Sequence, residues 1–161
     1  MTLTYVATED RMRLVGAGKS GDAVLLWLTQ RMCNQIVQIL TNCLEKLAET
    51  RGVLAKDAVL SFQQSDARQN LPSLPPVTVG PEATATLVRT IEVQQTGKRF
   101  VLAFKAGKAS CAEIAFGAPD VHRWLTVLHG LYIKAGWAMQ FWPEWFEDPD
   151  RKSAARTTLL H

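Results

Sequence analysis

Apolar and polar residues alternate over short stretches at the start of the chain, as they do in β-strands with one buried face. Residues 3–8 alternate in this way, Glu9 and Asp10 supply a turn, and residues 11–15 return with the same period. The apolar run 23–28 is bounded by turn residues, which is typical of a strand buried on both faces. The first 28 residues therefore predict a hairpin followed by a third strand.

The period changes to three or four residues after Thr29, a residue that suits a helix N-cap. The apolar positions form two adjacent stripes, which are Leu28, Met32, Ile36, Ile39, Cys43 and Leu47, and beside them Cys33, Val37, Leu40 and Leu44. The opposite face is polar but uncharged, with Gln30, Asn34, Gln35, Gln38, Thr41 and Asn42. We predict a helix over 29–50 whose amide-rich face is either exposed to solvent or paired with another helix.

A shorter helix is predicted over 56–68, and the four prolines of 71–81 indicate a loop, because proline lacks a backbone donor. Alternation returns at 87–94 and 100–104, on either side of a Thr96-Gly97 turn. A further strand over 112–116 and a helix from Pro119 to about Ala135 complete the pattern, and Gly136 supplies the stop.

Both halves of the chain are thus predicted to run strand, strand, strand, helix. The segments around Gly18 and Gly107 are similar and lie 89 positions apart, which suggests a repeated unit. The expected fold class is α+β, with antiparallel sheets from the two halves and a helical hairpin between them. We predict one globular domain over 1–149 that contains the proline-rich loop, and a basic tail over 150–161.

Composition limits the classes of function. The 161 residues are 47% hydrophobic and 20% charged, which suits a single buried core. The net charge of +3 is spread among acidic residues, so nucleic acid is only a weakly supported partner. The three cysteines lack metal-ligand spacing and are predicted to be reduced structural thiols. The N-terminus has no leader pattern and the apolar runs are too short to cross a bilayer, so we expect a cytoplasmic protein without membrane contact.

Three groups of residues resemble functional motifs, but none of them meets the requirements of its motif. Residues 16–20 resemble the end of a phosphate-binding loop, but that motif requires a glycine five positions before Gly18, and Arg13 occupies that position. His122 and His129 are separated by about 10.5 Å along one helix, too far to share a metal ion, and both are predicted on its polar side. Cys111 is the only nucleophile that could be paired with these histidines, and nothing in the sequence brings them together. No catalytic, cofactor-binding or metal-binding residue is assigned, and an enzyme is the third-ranked class.

The end of the chain is rich in aromatic residues: Trp137, Phe141, Trp142, Trp145 and Phe146 surround Pro143. Large rings often anchor protein interfaces, so an exposed cluster would bind a partner. The alternative is that the segment folds back over the sheet as a lid. Both interpretations stay open at the level of sequence.

The order of predicted elements from about Leu3 to Trp137 resembles the head domains of the head-and-stalk scaffold superfamily, which includes DNA end-joining scaffolds and centriole assembly proteins. The resemblance rests on element order and implies a homodimer or filament former that positions other molecules. It carries over no functional residue.

The leading hypothesis is a non-enzymatic interaction or assembly domain that forms a homodimer through the helix over 29–50, although another protein is a possible partner. Its expected interface residues are Met32, Ile36, Ile39 and Cys43 in a shared helical seam, with Trp142 and Trp145 as anchors. The alternative is a small module that binds a ligand or nucleic acid through the turns at Lys19 and Lys108.

Overall fold

Two antiparallel meanders, each followed by a helix, make up most of the regular structure in the computed structural model. The structure describes residues 1–17, 23–49, 56–73, 75–80, 83–108 and 110–147. In chain order the elements are β1 (Thr2–Val6), β2 (Arg11–Ala17), β3 (Ala23–Leu28), α1 (Gln30–Glu49), α2 (Lys56–Gln69), β4 (Ala85–Leu87), β5 (Thr90–Thr96), β6 (Arg99–Lys105), β7 (Ser110–Gly117), α3 (Ala118–Ala135) and a 3₁₀ turn (Glu144–Phe146). The α+β class is confirmed.

The first sheet has the strand order β1-β2-β3-β4. Leu14 lies opposite Leu3 on one side and Leu26 on the other, so the period of two places all three on one face of the sheet. All three are buried in the core. The predicted hairpin and buried third strand are therefore present, because alternation and register agree.

The prediction of a single strand over 87–94 is wrong, because this segment forms two strands that belong to different sheets. β4 pairs in parallel with β3, and Val88 still donates its backbone N–H to Trp27 O at 3.0 Å. The next residue, Arg89, donates to Lys105 O at 2.8 Å, which belongs to the second sheet. Alternation continues through both strands, so the sequence gives no sign of the change of partner.

The second sheet has the order β5-β6-β7, and all its strands are antiparallel. Gly97 has φ +59°, a left-handed conformation that suits glycine and allows the tight turn between β5 and β6. Phe100, Leu102 and Phe104 are all buried on the inner face of β6. This hairpin follows the predicted pattern.

The start of α1 and the end of α3 lie where the sequence indicates. Thr29 Oγ1 accepts a hydrogen bond from the Met32 N–H at 3.3 Å, as an N-cap does. Gly136 ends α3 in the left-handed conformation with φ +67°, and its N–H donates to Ile133 O at 3.2 Å. The expected stop at Gly52 lies outside the described residues.

One core cluster contains buried residues from both sheets and from all three helices. Within the proline-rich loop, the described residues 71–73 and 75–80 form neither helix nor strand, and the Val77 N–H donates to Thr2 Oγ1 at the first strand. The tail predicted over 150–161 lies outside the described residues. In the part of the chain that the structure describes, no helix is long and apolar enough to span a bilayer.

Candidate binding surfaces

The outward side of α1 carries a regular line of polar residues, which we call the α1 stripe. Its members are Arg31, Gln35, Gln38, Asn42, Glu45 and Glu49. They recur at alternating steps of four and three, which keeps them on one side of a helix. Five of the six are exposed and Glu45 is half-buried. The middle of the stripe is uncharged, and the charges lie at its ends.

The predicted helical seam needs correction. Met32 and Ile36 are 7% and 0% exposed because they face the core of their own chain. Ile39 and Cys43 are half-buried at the edge of the outward face. The wide apolar face is therefore explained by the contacts of α1 with α2, α3, β3 and β5, rather than by a second chain. Of the four predicted seam residues, only Ile39 and Cys43 reach the surface.

Part of the amide-rich face is also used within the chain. Asn34 Oδ1 accepts a hydrogen bond from the Tyr132 hydroxyl at 2.7 Å. Thr41 Oγ1 donates to Val37 O at 2.8 Å and is buried. Gln35, Gln38 and Asn42 remain exposed.

A shallow cavity, the edge pocket, lies between α1 and the start of β5. Its volume is about 390 Å³, and it is lined by Arg31, Met32, Gln35, Gln38, Ile39, Arg89, Thr90 and Ile91. β5 is an edge strand that pairs only with β6 among the described strands. Two arginines and two glutamines make this a polar surface, continuous with the α1 stripe.

A second cavity, the helical pocket, lies where the three helices meet near the turn between β5 and β6. Its volume is about 370 Å³. Its apolar wall comes from all three helices, and its polar residues are fewer; the lining residues are Leu44, Leu47, Ala48, Val59, Phe62, Gln63, Asp66, Ala67, Lys98, Ala118, Pro119, His122 and Arg123. Phe62 is 74% exposed, which is unusual for an aromatic ring beside an apolar cavity.

His122 is buried in the wall of the helical pocket, so the prediction that it lies on the polar side of α3 is wrong. Only 2% of the residue is exposed. Its Nδ1 lies 2.9 Å from Gln64 Oε1, and Gln64 is itself buried on α2. Burial lowers the pKa of His122 to about 4, because the charged imidazolium loses its hydration. The ring is therefore neutral near neutral pH.

The hydrogen bonds around Gln64 fix which ring nitrogen carries the proton. Gln64 Nε2 lies 3.4 Å from His122 O and 2.6 Å from Thr126 Oγ1. A carbonyl oxygen only accepts, so the amide nitrogen must face it and the amide oxygen must face the ring. His122 Nδ1 therefore donates the proton to Gln64 Oε1. The lone pair of Nε2 is left without a partner among the described residues.

The aromatic end of the chain folds back on the molecule, mostly against the helices, while Trp137 packs on Tyr5 of β1 with a ring-centroid distance of 5.8 Å. Trp145 donates from Nε1 to Glu45 Oε1 at 2.9 Å, and its backbone oxygen accepts from Ser61 Oγ at 3.0 Å. Trp145 is buried, so it is not available as a surface anchor. Trp142 is half-buried against His129 and Tyr132, with ring-centroid distances of 4.8 and 5.4 Å. His129, predicted as a solvated surface residue, is in fact half-buried in this cluster.

The two lysine turns are not brought into either cavity. Lys108 is exposed in the bend between β6 and β7 and lines neither the edge pocket nor the helical pocket. Lys19 lies outside the described residues. The predicted equivalence of the two turns therefore stays a prediction.

Metal-ligand groups and cysteine thiols were the remaining candidates for chemistry among the described residues. No group of three or more His, Cys, Asp or Glu side chains in the described ranges is placed to hold a metal ion. Burial raises the pKa of the Cys33 and Cys43 thiols, so both stay protonated, which is the less nucleophilic form.

Sequence reasoning missed the pairing of His122 with Gln64, which lies 58 residues away. A local signal was present, because His122 directly follows Val121 and precedes Trp124 and Leu125 on the predicted inner face of α3. Comparisons with protein-family models, with curated proteins and with solved structures give no match for this chain. Function is therefore inferred from the residues and their geometry.

Proposed function

We propose that this chain is a non-enzymatic interaction domain that forms a homodimer through the α1 stripe. The observation that carries the proposal is the symmetry of the stripe about its midpoint near Leu40. In two antiparallel copies of α1, Arg31 lies opposite Glu49, Gln35 opposite Glu45, and Gln38 opposite Asn42. Opposite charges meet at the ends, and amides meet at the centre.

The spacing of the stripe supports the same arrangement. Steps of four and three residues are those of the contact positions in paired helices. Polar residues at such positions favour one register and orientation at a cost in stability, since a shifted register separates Arg31 from Glu49 and leaves the central amides without partners. Within its own chain Glu49 also accepts from Lys56 Nζ at 2.9 Å, so it would be shared between Lys56 and the Arg31 of the second copy. The half-buried Ile39 and Cys43 add apolar surface at the edge of the contact. A second copy of the chain therefore fits the stripe better than a partner without matching charges.

The dimer is expected to be weak. The stripe runs over the 19 residues from Arg31 to Glu49, or about 27 Å of helix, and a helix is about 10 Å wide, so the contact buries roughly 300 Å² per copy. Stable interfaces bury about 800 Å² per partner. We therefore expect a dissociation constant of about 10 µM to 1 mM, and association that depends on concentration.

The order of elements, which resembles that of head-and-stalk scaffold head domains, leads to the same class of function. In that class the dimer would position other molecules rather than transform them.

Sedimentation equilibrium over a concentration series up to about 1 mM tests the proposal. The double variant Gln38→Arg with Asn42→Arg places four like charges near the twofold axis and is expected to be a folded monomer. The matched control, Ala58→Arg with Gln69→Arg, adds the same charge at exposed positions of α2 and is expected to dimerise as the native chain does.

Charge exchange tests the orientation. Arg31→Glu or Glu49→Arg alone should weaken the dimer, because each creates two like-charge contacts across the axis. Their combination should restore it. A native chain that is monomeric at every concentration contradicts the proposal, as does a dimer that the stripe variants and the α2 control variant weaken equally.

A further inference from the structure

The edge pocket lies beside a strand edge that no other described strand occupies. Val88 donates its N–H to Trp27 O in β3. The next residue, Arg89, donates its N–H to Lys105 O in β6. Successive residues of an extended chain direct their N–H groups to opposite edges, so β3 and β6 lie on opposite edges of the segment that forms β4 and β5. The pairing with β3 stops at Leu87, so the β3 side of β5 is open among the described strands.

β5 lacks the features by which proteins usually protect an open edge. Edge strands are commonly very short, interrupted by a bulge, or guarded by proline or lysine. β5 has seven residues, and none of them is proline, lysine or arginine. Its one charged residue, Glu92, is already paired with Lys105 Nζ at 2.6 Å. By contrast, β7 at the other edge of this sheet has an irregular register. The open edge of β5 is therefore a place where a further strand can pair.

The first half of α1 forms the other wall of a groove along this edge. The edge pocket, with its volume of about 390 Å³, lies between α1 and the start of β5. Part of its lining is apolar, because Met32 is buried and Ile39 and Ile91 are half-buried. A peptide that adds to a sheet edge gains affinity from backbone hydrogen bonds and specificity from pockets for alternate side chains. The groove offers both kinds of contact.

The charges of the edge pocket favour an acidic peptide. Arg31 and Arg89 are both exposed and line the pocket, and the described lining contains no Asp or Glu. Neither arginine forms a salt bridge with another described residue. Both guanidinium groups are therefore available to carboxylates, with which arginine forms strong, charge-assisted hydrogen bonds.

We propose that the edge pocket and the open edge of β5 bind an extended acidic segment of another protein, which adds to the sheet as a strand. Its backbone pairs with the outward N–H and C=O groups of β5. Its alternate side chains contact Ile39 and Ile91. Its acidic side chains meet Arg31 and Arg89. This inference goes beyond the proposed dimer, because the partner is a different chain. The pocket and the α1 stripe share three residues of α1, so binding of the segment and dimerisation exclude one another.

Two synthetic peptides test this class of partner. The acidic probe is an acetylated and amidated hexapeptide that alternates glutamate with valine, and the neutral probe has glutamine in place of each glutamate. Both are titrated, with NMR detection, into the ¹⁵N-labelled Glu49→Arg chain, because Glu49 does not line the pocket and its reversal weakens the proposed dimer. We expect saturable binding of the acidic probe, and binding of the neutral probe that is at least about fivefold weaker.

Hydrogen exchange of the β5 amides tests the addition of a strand. The amides on the open edge of β5 gain a hydrogen-bond acceptor when the acidic probe binds, so their exchange should become slower. The amides of β5 that face β6 are paired in both states, so the probe should change their exchange less. An acidic probe held by charge alone would leave both sets of amides unchanged.

Arg89→Glu tests the pocket without changing the α1 stripe. It reverses one of the two cations and should weaken binding of the acidic probe by at least about fivefold. Arg99→Glu is the matched control, because Arg99 is also exposed but does not line the pocket. Arg99 lies opposite Thr96 at the far end of β5, about 20 Å along the strand from Arg89. That distance exceeds the Debye length of about 10 Å at 0.1 M salt, so the control should change affinity by less than about twofold.

Any of four results overturns the proposal. These are no saturable binding of the acidic probe, equal affinity for the acidic and neutral probes, equal weakening by Arg89→Glu and Arg99→Glu, or unchanged exchange of the β5 amides. None of them depends on whether the native chain dimerises, which sedimentation equilibrium tests separately. Failure of one proposal is thus distinguishable from failure of the other.

Discussion

The burial of His122 should make the stability of the fold depend on pH between about 4 and 6.5. His122 has an ordinary pKa of 6.5 in the unfolded chain, and burial lowers the pKa to about 4 in the folded chain. In this window the unfolded state binds the proton and the folded state does not. The free energy of unfolding therefore falls as the pH is lowered through 6.5, and the loss is complete below about pH 4.

The two pKa values give the magnitude. At pH 8 the ring is neutral in both states and contributes no dependence on pH. At pH 5 the linkage amounts to about 2 kcal/mol of lost stability, and below pH 4 to about 3 kcal/mol. A small domain is stable by only about 5 to 15 kcal/mol, so this loss is readily measured.

The His122→Asn variant isolates this contribution, because asparagine retains a side-chain N–H donor for Gln64 Oε1 but does not titrate. Urea unfolding of both chains at pH 8 and pH 5 gives the difference in stability between them at each pH. We expect the native chain to lose about 2 kcal/mol relative to the variant between pH 8 and pH 5. A titration of the ring nitrogens by NMR measures the folded pKa directly.

A difference in stability that is the same at both pH values would refute the linkage. A folded-state pKa near 6.5 would refute the burial argument itself, and with it the assignment of a neutral ring. Carboxyl groups also titrate near pH 5, but they are common to both chains and their contribution cancels in the comparison.

Two further changes test how the chain is held together. Asp10 has φ +47°, and its Oδ1 accepts hydrogen bonds from the Tyr5 hydroxyl at 2.9 Å and from Trp137 Nε1 at 2.8 Å. In urea unfolding, Asp10→Ala should lower the free energy of unfolding by about 2 to 3 kcal/mol. Asp10→Asn keeps an oxygen acceptor and tolerates positive φ, so it should retain most of the native stability. Equal losses of stability in the two variants would argue against the shared acceptor. Gly136→Ala should cost about 1 kcal/mol in the same assay, because φ is +67° and a Cβ there is strained although no atom lies within 4 Å of it; an unchanged midpoint would contradict this.

Local patterns determined most of the elements. Alternation with period two identified β2 and β6, and the three-to-four period identified α1 and α3, since each buries one face. The sequence also predicted the turn at Gly97 and the helix end at Gly136, because both positions have the left-handed conformation that favours glycine. The α+β class follows from the order of these elements.

Contacts between residues that are distant in the sequence could not be predicted from it. The strand pattern that begins at Leu87 is divided between two sheets at Val88 and Arg89, and both parts alternate equally well. The sequence contains two polar histidines on α3, but only the packing of α2 against α3 shows that His122 meets Gln64. Such contacts depend on which surfaces come together, and local periodicity carries no information on that.

The sequence by itself determined that α1 has an apolar side wider than one contact and an amide-rich side. The tertiary structure decided which apolar positions face the core of the same chain: Met32 and Ile36 do, while Ile39 and Cys43 lie at the edge. It also decided that the aromatic end covers the helices, with Trp145 buried against Glu45. The physical reason is that the hydrophobic effect is non-directional: it requires these side chains to be buried, but only the packing of the whole chain determines what buries them.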